Sequence, residues 1–195
     1  DVRITTDLFD ASEGNYDLTQ MFLFPIAYAY YDELSEEARE RLIRLLLAGG
    51  HINRPYLDEI VTSGGPPNDW ARAGRFDPIA SGRIGETENH IVLINTARYL
   101  SNQLLYQRDH DPEHDNRRNG GDDRPSCTDL MLALLRNMLR DDFSEYNAKP
   151  YQNAIHGALL NLYNYAYDHE VRLAARMVLD YTAAHYAVSS CDLRR

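Results

Sequence analysis

Apolar residues return every three or four positions along nearly the whole chain, from Leu18 to Val188, and no stretch alternates strictly between apolar and polar residues. A period near 3.6 gathers such residues on one stripe of an α-helix, whereas a half-buried strand needs a period of two. This confines the chain to an all-α fold. "LTQMFLFPIAYAYYDEL" reads as a helix that Pro25 kinks or restarts. "SEEARERLIRLLLAGG" follows, with Ser35 as cap, acids in the first turn and Gly49-Gly50 as stop. "RPYLDEIVTSGG" reads as a short helix with Pro55 near its start, and residues 66–85 show no strong period. Helices are expected again over 86–108, 126–143, 149–167 and 169–188. Ser126 or Thr128 caps the second of these, and Pro150 falls in the first turn of the third. The charged run "DHDPEHDNRRNGGDDRP" reads as a solvated, mobile loop.

Several of these helices are apolar on more than one face. A helix packed on one side only keeps a wide polar face. The pattern therefore suits successive antiparallel helix hairpins forming an α/α toroid or part of one, with buried inner helices. Val171, Ala174, Ala175, Val178, Leu179, Thr182 and Ala183 form one apolar stripe of the last helix. Roughly seven helices fall short of a complete ring. The chain starts without Met and ends at "CDLRR" with no helix stop. Residues 1–195 are thus expected to be a single α-helical domain, a fragment of a longer toroid protein.

A net charge of −10 opposes nucleic acid and anionic membrane as partners, because the long-range field repels phosphate. A polyanionic substrate would need a local basic patch, for which Arg72, Arg75 and Arg83 are candidates. No apolar run approaches the ~18 residues of a membrane span, and no signal-peptide pattern opens the chain. Cys127 and Cys191 stand outside any CxxC pattern, which argues against a zinc site and leaves free thiols or one disulfide open. "DHDPEHD" carries hard-ion ligands but lacks the EF-hand glycine. No P-loop, Rossmann, GxSxG or HExxH pattern occurs, and no metal or cofactor is expected.

Chemistry concentrates in two stretches. In "ETENHIVLINTARYLSNQLLY", Glu86 stands four residues before His90, within reach for a carboxylate–imidazole hydrogen bond. Asn89 and His90 fall in the first turn, where the helix dipole favours a negative ligand, and Asn89, Thr96 and Gln103 share a second face. The alternative is an acidic turn that satisfies orphan amides, with Thr87 as cap. In "DFSEYNAKPYQNAIHG", Glu145, Tyr146 and Asn147 occupy a turn between rigid helices, and Tyr151 and Gln152 begin the next helix. The alternative there is a packed Tyr146 and an Asn147 in a left-handed turn. Trp70 and many of the 14 tyrosines suit stacking on a sugar face, and equally suit packing.

"GETENHIVLINTARYLSNQLL" and "FSEYNAKPYQNAIHGALLNLYNYAYDHEVRLAARMVLDY" resemble stretches of bacterial α/α-toroid proteins of unknown function related to carbohydrate-active enzymes, among them heparinase- and alginate-lyase-like toroids. The resemblance covers about residues 85 to 190. It implies a neutral amide beside a uronate carboxylate, with His or Tyr as base and acid, at Asn89, His90 and Tyr146. Glu88 departs from the lyases' Asn-Asn-His and would repel a substrate carboxylate. A hydrolase pairing Glu86 or Glu88 with Glu145 suits a neutral glycan better, and needs its carboxyl groups ~5–10 Å apart.

The expectation is a carbohydrate-active toroid enzyme, a polysaccharide lyase or glycoside hydrolase, acting on a glycan. His90, Tyr146 and Glu88 would be catalytic. Glu86, Asn89, Asn147, Tyr151 and Trp70 would bind substrate. An extracytoplasmic setting would follow from such activity. The alternative is a non-catalytic helical module that binds a glycan or another protein.

Overall fold

The computed structural model describes residues 16–50, 88–121, 125–143 and 145–190. Among them are six α-helices: α1 Tyr16–Ala29, α2 Glu36–Gly50, α3 Glu88–Asp109, α4 Cys127–Asp141, α5 Tyr151–Tyr165 and α6 His169–Ser189. No strand occurs among these residues, so the all-α reading holds. The expected helix at 54–65 lies outside the described residues, as do Arg72, Arg75 and Arg83.

Local chemistry accounts for the helix boundaries. Pro25 lies inside α1 and neither ends nor restarts it. A 3₁₀ turn, Tyr31–Glu33, leads to Ser35, whose Oγ accepts the Ala38 amide at 3.3 Å as the N-cap of α2. Arg39 reaches back to the Tyr31 and Asp32 carbonyls at 2.8 and 2.7 Å and secures that corner. Ser126 forms a full capping box with Asp129, in which each side chain accepts the other's backbone amide at the N-terminus of α4.

The fold is organised around α3, which packs against α1, α2, α4 and α5. From Glu88 to Leu104 its side chains are buried except for half-buried His90, Arg98 and Asn102. Ile91, Val92, Leu93, Tyr99 and Leu100 are fully inaccessible and form the centre of the core. Phe24 of α1, Leu46 of α2, Leu135 and Met138 of α4, and Leu159 and Leu162 of α5 surround them. Burying such side chains contributes roughly 1.5–3 kcal/mol each. Val171, Ala175, Val178 and Thr182 form the buried stripe of α6, flanked by half-buried Ala174 and Leu179, while Ala183 is exposed.

The polar residues of α3 act as ties between helices. Ser101 Oγ donates to the Leu46 carbonyl at 3.1 Å, and Gln20 Nε2 of α1 donates to the same carbonyl at 3.1 Å. Tyr28 Oη donates to the Leu100 carbonyl at 2.8 Å. Gln103 grips the α5–α6 link, donating to the Tyr165 carbonyl and accepting the Tyr167 amide, both at 2.8 Å. Thr96 differs. It is fully buried, and its hydroxyl has no partner among the described residues. An unpaired buried hydroxyl costs about 1–3 kcal/mol. Thr96→Val should therefore stabilise the protein by about 1 kcal/mol, read as a rise in the urea midpoint. A fall of that size would mean that the hydroxyl is hydrogen-bonded after all.

The charged segment after α3 is anchored rather than merely solvated. Asp115, Asn116 and Asn119 are buried. Asn116 Nδ2 donates to the Tyr99 carbonyl at 2.8 Å, and the Thr128 amide donates to the Asn116 carbonyl at 2.9 Å. Asn119 and Cys127 pair through Nδ2–Sγ and amide–Oδ1 hydrogen bonds of 3.1 and 3.0 Å. Arg117 crosses the Tyr167 ring at 4.6 Å and forms an ion pair with Asp168. Its sequence reads as solvation because its partners lie far along the chain.

Candidate functional site

The two polar stretches singled out in the sequence do meet. The Glu145 amide donates to Glu88 Oε2 at 2.9 Å, and the Asn89 amide donates to Glu145 Oε2 at 2.7 Å. The exchange closes the N-terminal end of α3, where carboxylates complement the helix dipole and orphan amides. Glu88 and Asn89 are 2% and 1% exposed, so among the described residues this junction is a buried helix cap. His90 is half-buried in the same turn. Glu86, Thr87 and Trp70 lie outside the described residues.

Tyr146 packs on α6. Its ring meets His185 at 4.4 Å between centroids, in a group with Phe143 and Tyr181, and its hydroxyl is 3.4 Å from Ser189 Oγ. Burial pushes the Tyr181 phenol above its usual range. Asn147 has φ 62°, the left-handed conformation that asparagine tolerates, and its amide donates to Gln152 Oε1 at 3.0 Å. Tyr151 is 46% exposed at the start of α5.

Of the expected residues, Asn147 lines an open cleft. This cleft, about 900 Å³, runs between the first half of α5 and the second half of α6. Lys149, Gln152, Asn153 and His156 line one wall, and Leu179, Ala183 and Tyr186 the other. Among the described residues no carboxylate lines it. Burial pushes the His156 imidazole pKa below its ordinary value, which favours the neutral ring. The walls thus offer amides, a neutral imidazole, an ammonium and a phenol around apolar patches.

Most of these residues escape a reading of the sequence. Gln152 and His156 are four apart and share a helix face, as do Leu179, Ala183 and Tyr186 by steps of four and three. The spacing is visible, but the pairing of the two faces is not. Among the described residues no group of three or more His, Cys, Asp or Glu side chains is placed to hold a metal ion, and no helix is long and apolar enough to cross a membrane. Cys127 is a free, half-buried thiol, and Cys191 lies outside the described residues. Comparison of the chain with protein-family models, curated proteins and solved structures finds no match.

Proposed function

We propose that the chain is a helical binding module whose ligand, a neutral polar molecule of the carbohydrate class, occupies the α5–α6 cleft. The observation that carries this reading is the 900 Å³ cleft itself, lined by Asn147, Gln152, Asn153, His156 and Tyr186, with no carboxylate among the described lining residues. Amides read hydroxyl groups as both donor and acceptor, and a tyrosine ring offers an apolar face to a sugar. Binding is favoured over turnover because Glu88 and Glu145 engage backbone amides, while Tyr146 packs against His185. An α/α toroid in the intact protein belongs to the same proposal. It rests on the α5–α6 hairpin and on the cover that four helices give α3.

Titration with neutral oligosaccharides, followed by NMR, tests the site. Gln152→Ala and Asn153→Ala should each weaken binding about tenfold, the effect of losing one or two hydrogen bonds. Ligand shifts confined to other surfaces, or release of shortened or unsaturated products, would defeat the reading.

His156 adds a pH dependence. Its folded pKa lies below the ordinary 6.5, so between the two values the unfolded chain binds more protons. Stability therefore rises with pH across that window and falls as the solution is acidified below about 6.5. His156→Gln should flatten the change in urea midpoint over this range; an unchanged slope would assign it to other groups.

A further inference from the structure

The groove between α5 and α6 has a second end. Antiparallel packing sets the last turn of α5 beside the first turns of α6, and a smaller cleft of about 350 Å³ opens there. Tyr163, Asn164, His169, Arg172, Leu173 and Arg176 line it. His169, Arg172 and Arg176 follow one another at i, i+3 and i+7, so one face of α6 presents all three basic groups. No carboxylate is in the wall among the described residues.

The state of these groups favours an incoming anion. The Arg172 guanidinium and the Asn164 amide make no hydrogen bond or ion pair among the described residues. Arg176 Nε lies 3.5 Å from Asp180 Oδ2, but both side chains are well exposed. Such a pair contributes at most about 1 kcal/mol and gives way readily to a competing anion. Glu170 is exposed in the first turn of α6 and is not part of the lining. Asp168 holds the N-cap position of α6, yet its carboxylate serves Tyr99, Thr128 and Arg117 instead. The Asp168 side chain makes no cap hydrogen bond to the first-turn amides, and the helix dipole adds to the cationic field. On a chain of net charge −10, this cleft is a local inversion of sign.

We propose that this end of the groove is a subsite for a phosphate-type oxyanion, held by Arg172 and Arg176 with His169 and Asn164 as further donors. A planar guanidinium pairs two donors with two oxygens of one anion, and a tetrahedral oxyanion has further oxygens left for a second guanidinium, which a carboxylate lacks. Arg172 and Tyr186 stand roughly 20 Å apart along α6 at 1.5 Å per residue, so this subsite is separate from the neutral cleft.

The test is a titration of the whole chain with inorganic phosphate at low ionic strength, followed through the arginine side-chain Nε–Hε NMR signals. Saturable shifts are expected at Arg172 and Arg176, with sulfate reproducing them and acetate binding more weakly. The double variant R172Q/R176Q should weaken phosphate binding at least tenfold. Both side chains are exposed, so its thermal midpoint should match that of the parent. Gln152→Ala should leave the phosphate shifts unchanged, so failure of the oligosaccharide site and failure of this one are read separately. Shifts that rise without saturating, that survive in R172Q/R176Q, or that are as large at Arg136 on α4 would overturn the assignment.

Discussion

Asp168→Ala should lower the stability of the fold by roughly 3–4 kcal/mol, an effect that urea unfolding would read. Three partners converge on this carboxylate. Tyr99 Oη and Thr128 Oγ1 donate to Oδ2 at 2.9 and 2.8 Å, and Arg117 Nε donates to Oδ1. The Asp168 side chain is only 8% exposed, whereas that of Arg117 is 55% exposed. Losing the carboxylate leaves the fully buried Tyr99 hydroxyl without its acceptor, which accounts for most of the expected effect. The arginine recovers part of its solvation and contributes less, so Arg117→Ala should lower stability by only about 1 kcal/mol. Burial first, then Asp168, pushes the Tyr99 phenol far above its ordinary range, so the hydroxyl stays a donor at every working pH. A loss below about 1 kcal/mol in Asp168→Ala would show that water replaces the carboxylate and that the junction carries little of the fold.

The second large effect is expected at Gln103. Gln103→Leu keeps the side-chain volume close to that of the parent but removes both hydrogen bonds to the α5–α6 link. The Tyr165 carbonyl and the Tyr167 amide then lose a partner buried at 3% exposure. Each lost bond to a sheltered backbone group costs about 1–1.5 kcal/mol, so a loss of roughly 2–3 kcal/mol follows. The same variant should weaken oligosaccharide binding, because the link sets how α5 and α6 stand against each other. A stability loss with unchanged oligosaccharide affinity would separate the clamp from the cleft.

Some of this architecture is written locally and some is not. The Ser35 cap and the Ser126–Asp129 box are visible because their partners lie within one helical turn. The burial of α3 on nearly all sides is visible because Ile91 to Ile94 is an unbroken apolar run. Asp115, Asn116 and Arg117 look like a solvated charge run because charge alone says nothing about distant pairing. Arg117 meets Asp168 across 51 residues, and Tyr167 meets Asp115 across 52. The meeting of Glu88 and Asn89 with Glu145 follows from the sequence as a place, and the acidic turn that satisfies orphan amides is legible as an alternative, but the exchange of amides and carboxylates across 56 and 57 residues is not. The open cleft is legible only in halves. On its α6 wall, Leu179 and Ala183 read as part of the helix's apolar stripe, and only α5 laid beside them shows that they line a cleft.

The carbonyl of Leu46 receives both Gln20 and Ser101. One oxygen is therefore held in common by the first, second and third helices. None of the three can swing outward without breaking a contact that also belongs to another. Amide hydrogens in these three segments should thus exchange with solvent through one shared opening, at similar rates, rather than helix by helix. A homologous helix transplanted alone would arrive without its share of that oxygen, so the three form the smallest unit that can be exchanged intact.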